Sequence, residues 1–306
     1  MTIQEYLQSL ADKKVAVIGV GVSNTPLIRL LRGANIDVTV CDKKDRGALG
    51  TLADELEKEG CRLHLGPDYL NDLNADVIFR TPGLHPRFLQ EAARKGAVII
   101  SEMEVFFAVC PCPIIGITGS DGKTTTTTMI AGLLRAAGKT VHLGGNIGHP
   151  LLAETETIRP DDVAVVELSS FQLMTMDRSP EIAVVTNLAP NHLDVHKSME
   201  EYITAKENIF THQSAQDIAI FNADNSITVQ QAEGALGGAR LFSRKNEVED
   251  GVFLRDGKII ARNGGQERVV MTREDIRLPG EHNVENYLAA ISALYGDIPA
   301  EAMRKV

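Results

Sequence analysis

Residues 113–125 read Pro-Ile-Ile-Gly-Ile-Thr-Gly-Ser-Asp-Gly-Lys-Thr-Thr, an apolar run that passes into glycines, a lysine and hydroxyls. A loop of this order can hold a phosphate. Gly119 and Gly122 let backbone N–H groups turn inward around an anion, with Ser120 and Asp121 between them. Lys123 adds a positive charge, Thr124 an oxygen for an accompanying Mg2+, and Thr125 leads into a helix. The strict pattern asks for glycine at 117, where this chain has Ile117, so the loop starts at Thr118-Gly119. A tight turn without ligand is the alternative. The context favours phosphate: a strand expected over 109–118, opened by Pro111 and Pro113, and a helix over 125–137, ended by Gly138.

Other donors follow downstream. Glu167 ends the apolar run 163–167, and the carboxyl end of a buried strand is where α/β sheets place ligands, so it is the first candidate metal ligand. The run 186–196 ends in His192, Asp194 and His196, a set that zinc could use. With the glycine loop and Glu167 present, Mg2+, which prefers oxygens and phosphates, is favoured. Asn146 lies in Gly-Gly-Asn-Ile-Gly, a turn that lets backbone approach a ligand. Ser169 and Gln172 follow Glu167, where a surface turn would also favour serines. Lys206 stands in a helical stretch, 199–211, where a lysine by itself reads as a solvated face. Asn283 and Asn286 open a helix over 283–295, whose Val284, Leu288, Ile291 and Tyr295 have core spacing; simple N-capping would also place an asparagine there.

Thr-Gly-Ser-Asp-Gly-Lys-Thr-Thr resembles the Thr-Gly-x-Asn-Gly-Lys-Ser/Thr loop of the Mur ligases and folylpolyglutamate synthases, which join an amine to a carboxylate with ATP. The likeness runs from about Lys14 to Ser292 and is strongest to the Mur ligases. It implies addition of D-glutamate to UDP-N-acetylmuramoyl-L-alanine through an acyl phosphate, in peptidoglycan precursor synthesis, with ATP and two Mg2+ ions. Residues 119–125 would then grip the phosphates, with Asn283 and Asn286 on the adenosine side and Asn286 near adenine. Thr124 and Glu167 would hold one Mg2+. His192, matching the Asn-His-Leu-Asp run, and Lys206, in Tyr202-Ile-Thr-Ala-Lys206 and carrying a carbamate, would hold the other. His196 is then expected at the surface. Lys123 would neutralise the transferred phosphoryl group. A lysine amine must be neutral to take up CO2, which burial and a neighbouring positive charge allow.

The resemblance also places the nucleotide sugar: Val22 and Ser23 by its diphosphate, Asp42 and Lys43 by uracil, Thr81, Pro82 and Gly83 closing the other side, and Asn146, Ser169 and Gln172 toward the muramoyl end. Read alone, Thr81–Gly83 is equally a Pro-Gly turn after a strand. Family members continue into a third domain that binds the incoming amino acid and closes on ATP, whereas this chain stops at Val306. The expectation is a monomer that binds its nucleotide sugar yet forms no amide alone. Another Mur-type ligase, or a UDP/ATP-binding regulatory module without turnover, is the alternative.

The elements that must position these groups are short apolar strands alternating with amphipathic helices, the signature of parallel βαβ sheets. Strands are expected at 14–20, 37–41, 77–80 and 98–100, then at 163–167, 182–186 and 218–222 after the loop strand. The fold class is α/β: a Rossmann-like domain over 1–109, and a P-loop ATPase-like domain over 110–306 with an antiparallel hairpin turned at Asp256-Gly257. The turn Gly19-Val-Gly21 followed by Asp42 also suits a dinucleotide such as NAD, although Asn24 stands where that fingerprint has its third glycine. The 306 residues, 43% hydrophobic, suffice for two cores. A net charge of −10 argues against a general nucleic-acid binder. The N-terminus lacks a signal pattern and no apolar run is long enough to span a bilayer, so a cytoplasmic protein is expected. Cys110-Pro-Cys112 reads as a reduced, partly buried strand entry, with a redox pair as the alternative.

Overall fold

The structure, a computed structural model, describes residues 1–190, 196, 198–296 and 298–304. The chain divides into two compact units, Met1–Pro111 with Gly148–Ile158, and Cys112–Ile147 with Arg159–Val306.

The first unit is built on five parallel strands: β1 (Val15–Ile18), β2 (Val38–Asp42), β3 (Arg62–Leu65), β4 (Val77–Phe79) and β5 (Val98–Ile100). Their order, β3-β2-β1-β4-β5, reverses direction between β1 and β4. Such a reversal opens a crevice at the carboxyl ends of the strands. β1 is central and wholly buried, so Val-Ala-Val-Ile is apolar on both faces rather than alternating. The helix Asn24–Gly33 returns over the sheet with Leu27, Ile28 and Leu31 buried.

The segment Gly148–Ile158 corrects the expected division, because it lies in this unit rather than in 110–306. Leu151, Leu152 and Ile158 are buried, and the Leu152 N–H donates to the Glu102 carboxylate at 2.9 Å. Glu102 is itself buried, and loss of water pushes its carboxyl up to about 7. The strand expected from 109 starts later: Glu102–Val109 is a helix capped by the Ser101 hydroxyl, and Cys110 is its C-cap. Cys110 is partly buried and Cys112 buried.

Among the described residues the second unit has nine strands: β6 (Ile114–Thr118), β7 (Val141–Gly145), β8 (Val163–Glu167), β9 (Ile182–Val185), β10 (Ile218–Asn222), β11 (Gly238–Ser243), β12 (Gly251–Arg255), β13 (Lys258–Asn263) and β14 (Gln266–Thr272). Their order is β14-β13-β12-β11-β10-β9-β6-β8-β7. The pairs from β7 to β12 are parallel, and β12, β13 and β14 form an antiparallel flank. Asp256 and Gly257 turn the hairpin with φ of 50° and 70°, as the tight two-residue turn requires. Helices Lys123–Ala136 and Glu281–Leu294 pack over the sheet, joining Ile130, Leu133, Leu134, Leu288 and Ile291 to the strand side chains in one core. β6 sits between β8 and β9, so the loop that follows it is flanked by the ends of both neighbours.

Candidate active site

The loop after β6 is held open by what its glycines lack. Gly119 has φ +149°, and a Cβ there would lie 1.9 Å from Thr186 Oγ1 and 3.1 Å from the Asn187 carbonyl. Gly122 has φ +78°, and its Cβ would meet Asn286 Oδ1 at 2.3 Å. Asn187 fixes the loop between them: its carbonyl accepts the Ser120 N–H at 2.8 Å and its Oδ1 the Asp121 N–H at 3.0 Å. The first i→i−4 bond of the next helix is Thr126 N–H to Gly122 O, 2.9 Å. The N–H groups before it, at Lys123, Thr124 and Thr125, have no partner within the helix, as at any helix start, and suit an anion.

Glu167 is 2% exposed and joins three elements. One carboxylate oxygen accepts the Thr124 hydroxyl at 2.6 Å and the other the Asn146 side-chain N–H at 2.7 Å. The Asn146 backbone N–H donates to the Glu167 carbonyl at 2.9 Å, and Gly145 must be glycine-like there, since a Cβ would sit 2.2 Å from that carbonyl. Oxygen donors of this kind, open toward a phosphate loop, fit Mg2+, which takes one or two protein oxygens and completes its shell with phosphate and water.

Two lysines cap the carbonyl side of the loop. Lys123 Nζ donates to Ser120 O at 2.8 Å, and Lys206 Nζ to Gly119 O at 2.8 Å and Thr118 Oγ1 at 3.0 Å. Lys206 is not on a solvated face. It is 2% exposed, on the helix Met199–Glu207, above the Tyr202 ring at 4.9 Å. Burial first, and then the charge of Lys123, bring its amine down to about 7. Burial also lowers Lys123, with Glu167 and Asp121 acting in the opposite sense.

Asn286 is brought to the loop as well: its Oδ1 accepts Thr126 Oγ1 at 3.3 Å and its Nδ2 donates to Asn283 Oδ1 at 3.2 Å. Asn283 in turn donates to Pro279 O at 2.7 Å. Beside them opens a cavity of about 140 Å3 lined by Gly122, Asn187, Phe242, His282, Glu285 and Asn286. Ser169 and Gln172 form a capping box at the helix Ser170–Leu173, with their side chains 2.8 Å apart. His192 lies outside the described residues.

His196 is a correction. Expected at the surface, it is 1% exposed, stacked on Phe171, edge-on to Tyr202, and 2.9 Å from Ser170 Oγ. Spacing alone could not show that two helices, Ser170–Leu173 and Met199–Glu207, close over it. Asn187, Thr186 and Tyr202 were not among the expected site residues, yet they shape the loop; Tyr202 Oη is 3.0 Å from Ser120 Oγ. Position just past β9 was the available signal for the first two.

In the first unit, Gly19 has φ +87° and a Cβ there would come 3.0 Å from Thr81 Cβ, so this turn and Thr81 approach closely across the β1–β4 crevice. Asp42 is buried and accepts the Val20 N–H at 2.6 Å and the Lys44 N–H at 2.8 Å. Asn24 is buried and donates to Ile18 O and Gly19 O at 2.9 and 3.0 Å. Val22 is 67% exposed; Lys43 and Gly83 are exposed, and Ser23, Thr81 and Pro82 partly so.

Residues 117–294 match the family model described as the Mur ligase middle domain. The chain belongs to the Mur ligase family. UDP-N-acetylmuramoylalanine–D-glutamate ligases of Acetivibrio thermocellus and Clostridium kluyveri are 47% and 48% identical to this Mur ligase chain, over 99% of it and 66% of their own length. The chain therefore spans about two thirds of the length of these relatives. Among solved structures, UDP-N-acetylmuramate:L-alanyl-gamma-D-glutamyl-meso-diaminopimelate ligase from Neisseria meningitides superposes with a TM-score of 0.61 at 20% identity, over 96% of this chain and 98% of that one. UDP-N-acetylmuramate-alanine ligase from Thermotoga maritima gives 0.54 at 21%, over 96% and 68%. Both show the Mur ligase fold. No helix among the described residues is long and apolar enough to cross a membrane.

Proposed function

We propose that this chain carries the nucleotide-sugar and ATP sites of an ADP-forming ligase that adds D-glutamate to UDP-N-acetylmuramoyl-L-alanine. The observation that carries the reading is the meeting of Thr124, Glu167 and Asn146 over a glycine loop whose carbonyls are capped by Lys123 and buried Lys206. The choice of substrates follows the names of the relatives.

In this reading the carboxylate of the nucleotide sugar takes the γ-phosphoryl group and ADP leaves. The amine of D-glutamate then attacks the acyl phosphate, losing a proton as the amide forms and phosphate departs. Such chemistry asks the protein for position and charge neutralisation. The N–H groups of 122–125 would orient the phosphates, and Lys123 would balance charge on the transferred group. Thr124 and Glu167 would hold one Mg2+, and His192 with a carbamylated Lys206 a second; the ions would supply further charge neutralisation at the phosphates. A buried amine near 7 has the neutral fraction that carbamate formation needs. Asn286 and the cavity beside it would take the adenosine side. Val22, Ser23, Asp42, Lys43 and residues 81–83 would take the UDP, with Asn146, Ser169 and Gln172 toward the muramoyl group.

An NAD enzyme is disfavoured because Asn24 stands where the dinucleotide fingerprint has its third glycine. Calorimetric titration tests the reading. UDP should bind more tightly than NADH, and UDP-N-acetylmuramoyl-L-alanine more tightly than UDP; tighter binding of NADH overturns it. Formation of ADP that requires both UDP-N-acetylmuramoyl-L-alanine and D-glutamate is the corresponding test of turnover.

A further inference from the structure

Arg80 is the largest fully buried side chain among the described residues, at 1% exposure, directly after β4 at the point where the strand order reverses. Burying a guanidinium is costly unless its donors are used, since it cannot shed its charge. Burial does lower its proton affinity, against the opposing charge of Glu104. What Arg80 does with its donors is specific. Its Nη1 donates to the Pro82 carbonyl at 3.2 Å and the Leu84 carbonyl at 3.3 Å. Between these, the Leu84 N–H closes a turn onto Thr81 O at 3.0 Å, and the Arg80 N–H pairs with Ile100 O at 2.8 Å.

The turn is thus gripped from beneath by one side chain, while Thr81 is pressed against Gly19, whose Cβ would lie 3.0 Å away. The opposite lip of the crevice is the Gly19–Ser23 turn, itself tied down through the Val20 N–H to Asp42. Both lips are therefore fixed before any ligand arrives. A lip with no helix or strand of its own would otherwise have to be ordered on binding, at a cost in conformational entropy.

We propose that Arg80 is a positioning residue for the nucleotide diphosphate: it holds the 81–84 turn in the shape that closes the crevice, without touching the ligand. The inference rests on the proposed UDP site and deepens it. Arginine suits this place better than lysine because a guanidinium keeps its charge and its planar donor geometry when buried, whereas a buried ammonium readily gives up its proton.

Calorimetric titration of UDP into the wild-type chain, Arg80→Met, Arg80→Lys and Arg80→Ala tests it, with ADP as the control ligand for the other unit. Arg80→Met should weaken UDP about tenfold or more and leave ADP within twofold, with Arg80→Lys in between. Adding guanidinium ion at low concentration should restore UDP binding to Arg80→Ala. A variant that binds ADP normally and UDP within twofold of wild type overturns the inference. If Arg80→Met loses both ligands, Arg80→Ala with guanidinium decides: failure to restore UDP binding overturns the positioning role. If the wild-type chain itself does not bind UDP, the assignment of the crevice falls and the inference with it, an outcome distinct from normal UDP binding by the variants.

Discussion

Each unit contains a strand, a glycine turn and a helix, and the two turns use their surroundings in opposite ways. After β1, the neighbouring acid Asp42 and the polar Asn24 are spent on backbone groups of the turn itself. After β6, the neighbouring acid Glu167 engages only side chains, and two lysines lie within reach of the loop carbonyls. Identical topology thus gives a self-satisfied crevice suited to a ligand that brings its own charge pattern, and a charged cradle suited to moving a phosphoryl group. In the proposed function, where the polar side chains point, not the turn, separates the binding site from the reaction site.

The two turns differ most at their glycines. Gly119→Ala must displace Thr186 and the Asn187 backbone, and it should lower ADP affinity on the order of 100-fold while UDP binding stays near wild type. Paired titrations of the two nucleotides check this; equal losses for both would erase the distinction between the turns. Gly21→Ala is the counterpart, because nothing lies within 4 Å of a Cβ there. Its effect on stability and on UDP affinity should be within about 0.5 kcal/mol.

The buried acids of the two units differ as well. Glu102 accepts the Leu152 N–H and is raised to about 7, so the folded state keeps a proton that the unfolded chain gives up near the ordinary glutamate value. Wild-type stability should therefore fall as pH rises from about 4.5 to 7 and level off above, relative to Glu102→Gln, which has no such proton to lose. At pH 8 the variant should be more stable by on the order of 2 kcal/mol, and at pH 4 nearly equal, in urea titrations. A difference independent of pH would show that Glu102 is held charged. Glu167→Gln should have the smaller, purely functional signature: the tightening of ADP binding by Mg2+ should drop about tenfold, with UDP unchanged. Retained Mg2+ dependence would remove Glu167 from the metal site.

The sequence announced the second cradle better than its walls. β6 and β8 are short apolar runs ending in the loop and in Glu167, and a strand buried on both faces has that appearance from any viewpoint. β3 reads Arg-Leu-His-Leu and has no fully buried residue, so nothing local marks it as a strand; its pairing with β2 decides. β14 carries Glu267 and Arg268 at exposed positions, and β11 opens on the exposed Gly238 and Ala239. At the site, Lys123, Thr124 and Glu167 were legible from type and spacing. The burial of Lys206, His196 and Arg80 was not, because it depends on chain that is distant in sequence. Pro111 and Pro113 marked the first crossing between units, but the return of Gly148–Ile158 leaves no compositional trace.

That return has a consequence for anyone who would take the molecule apart. The chain crosses from one unit to the other three times, after Pro111, after Ile147 and after Ile158. Neither unit is therefore a cassette with a single entry and exit. A gene fragment ending at Pro111 would lack Leu151, Leu152 and Ile158 from its own interior, and one beginning at Cys112 would carry those side chains with no core to bury them. Domain exchange between relatives would have to transplant two separate stretches together, so recombination that cuts once should seldom yield a soluble hybrid.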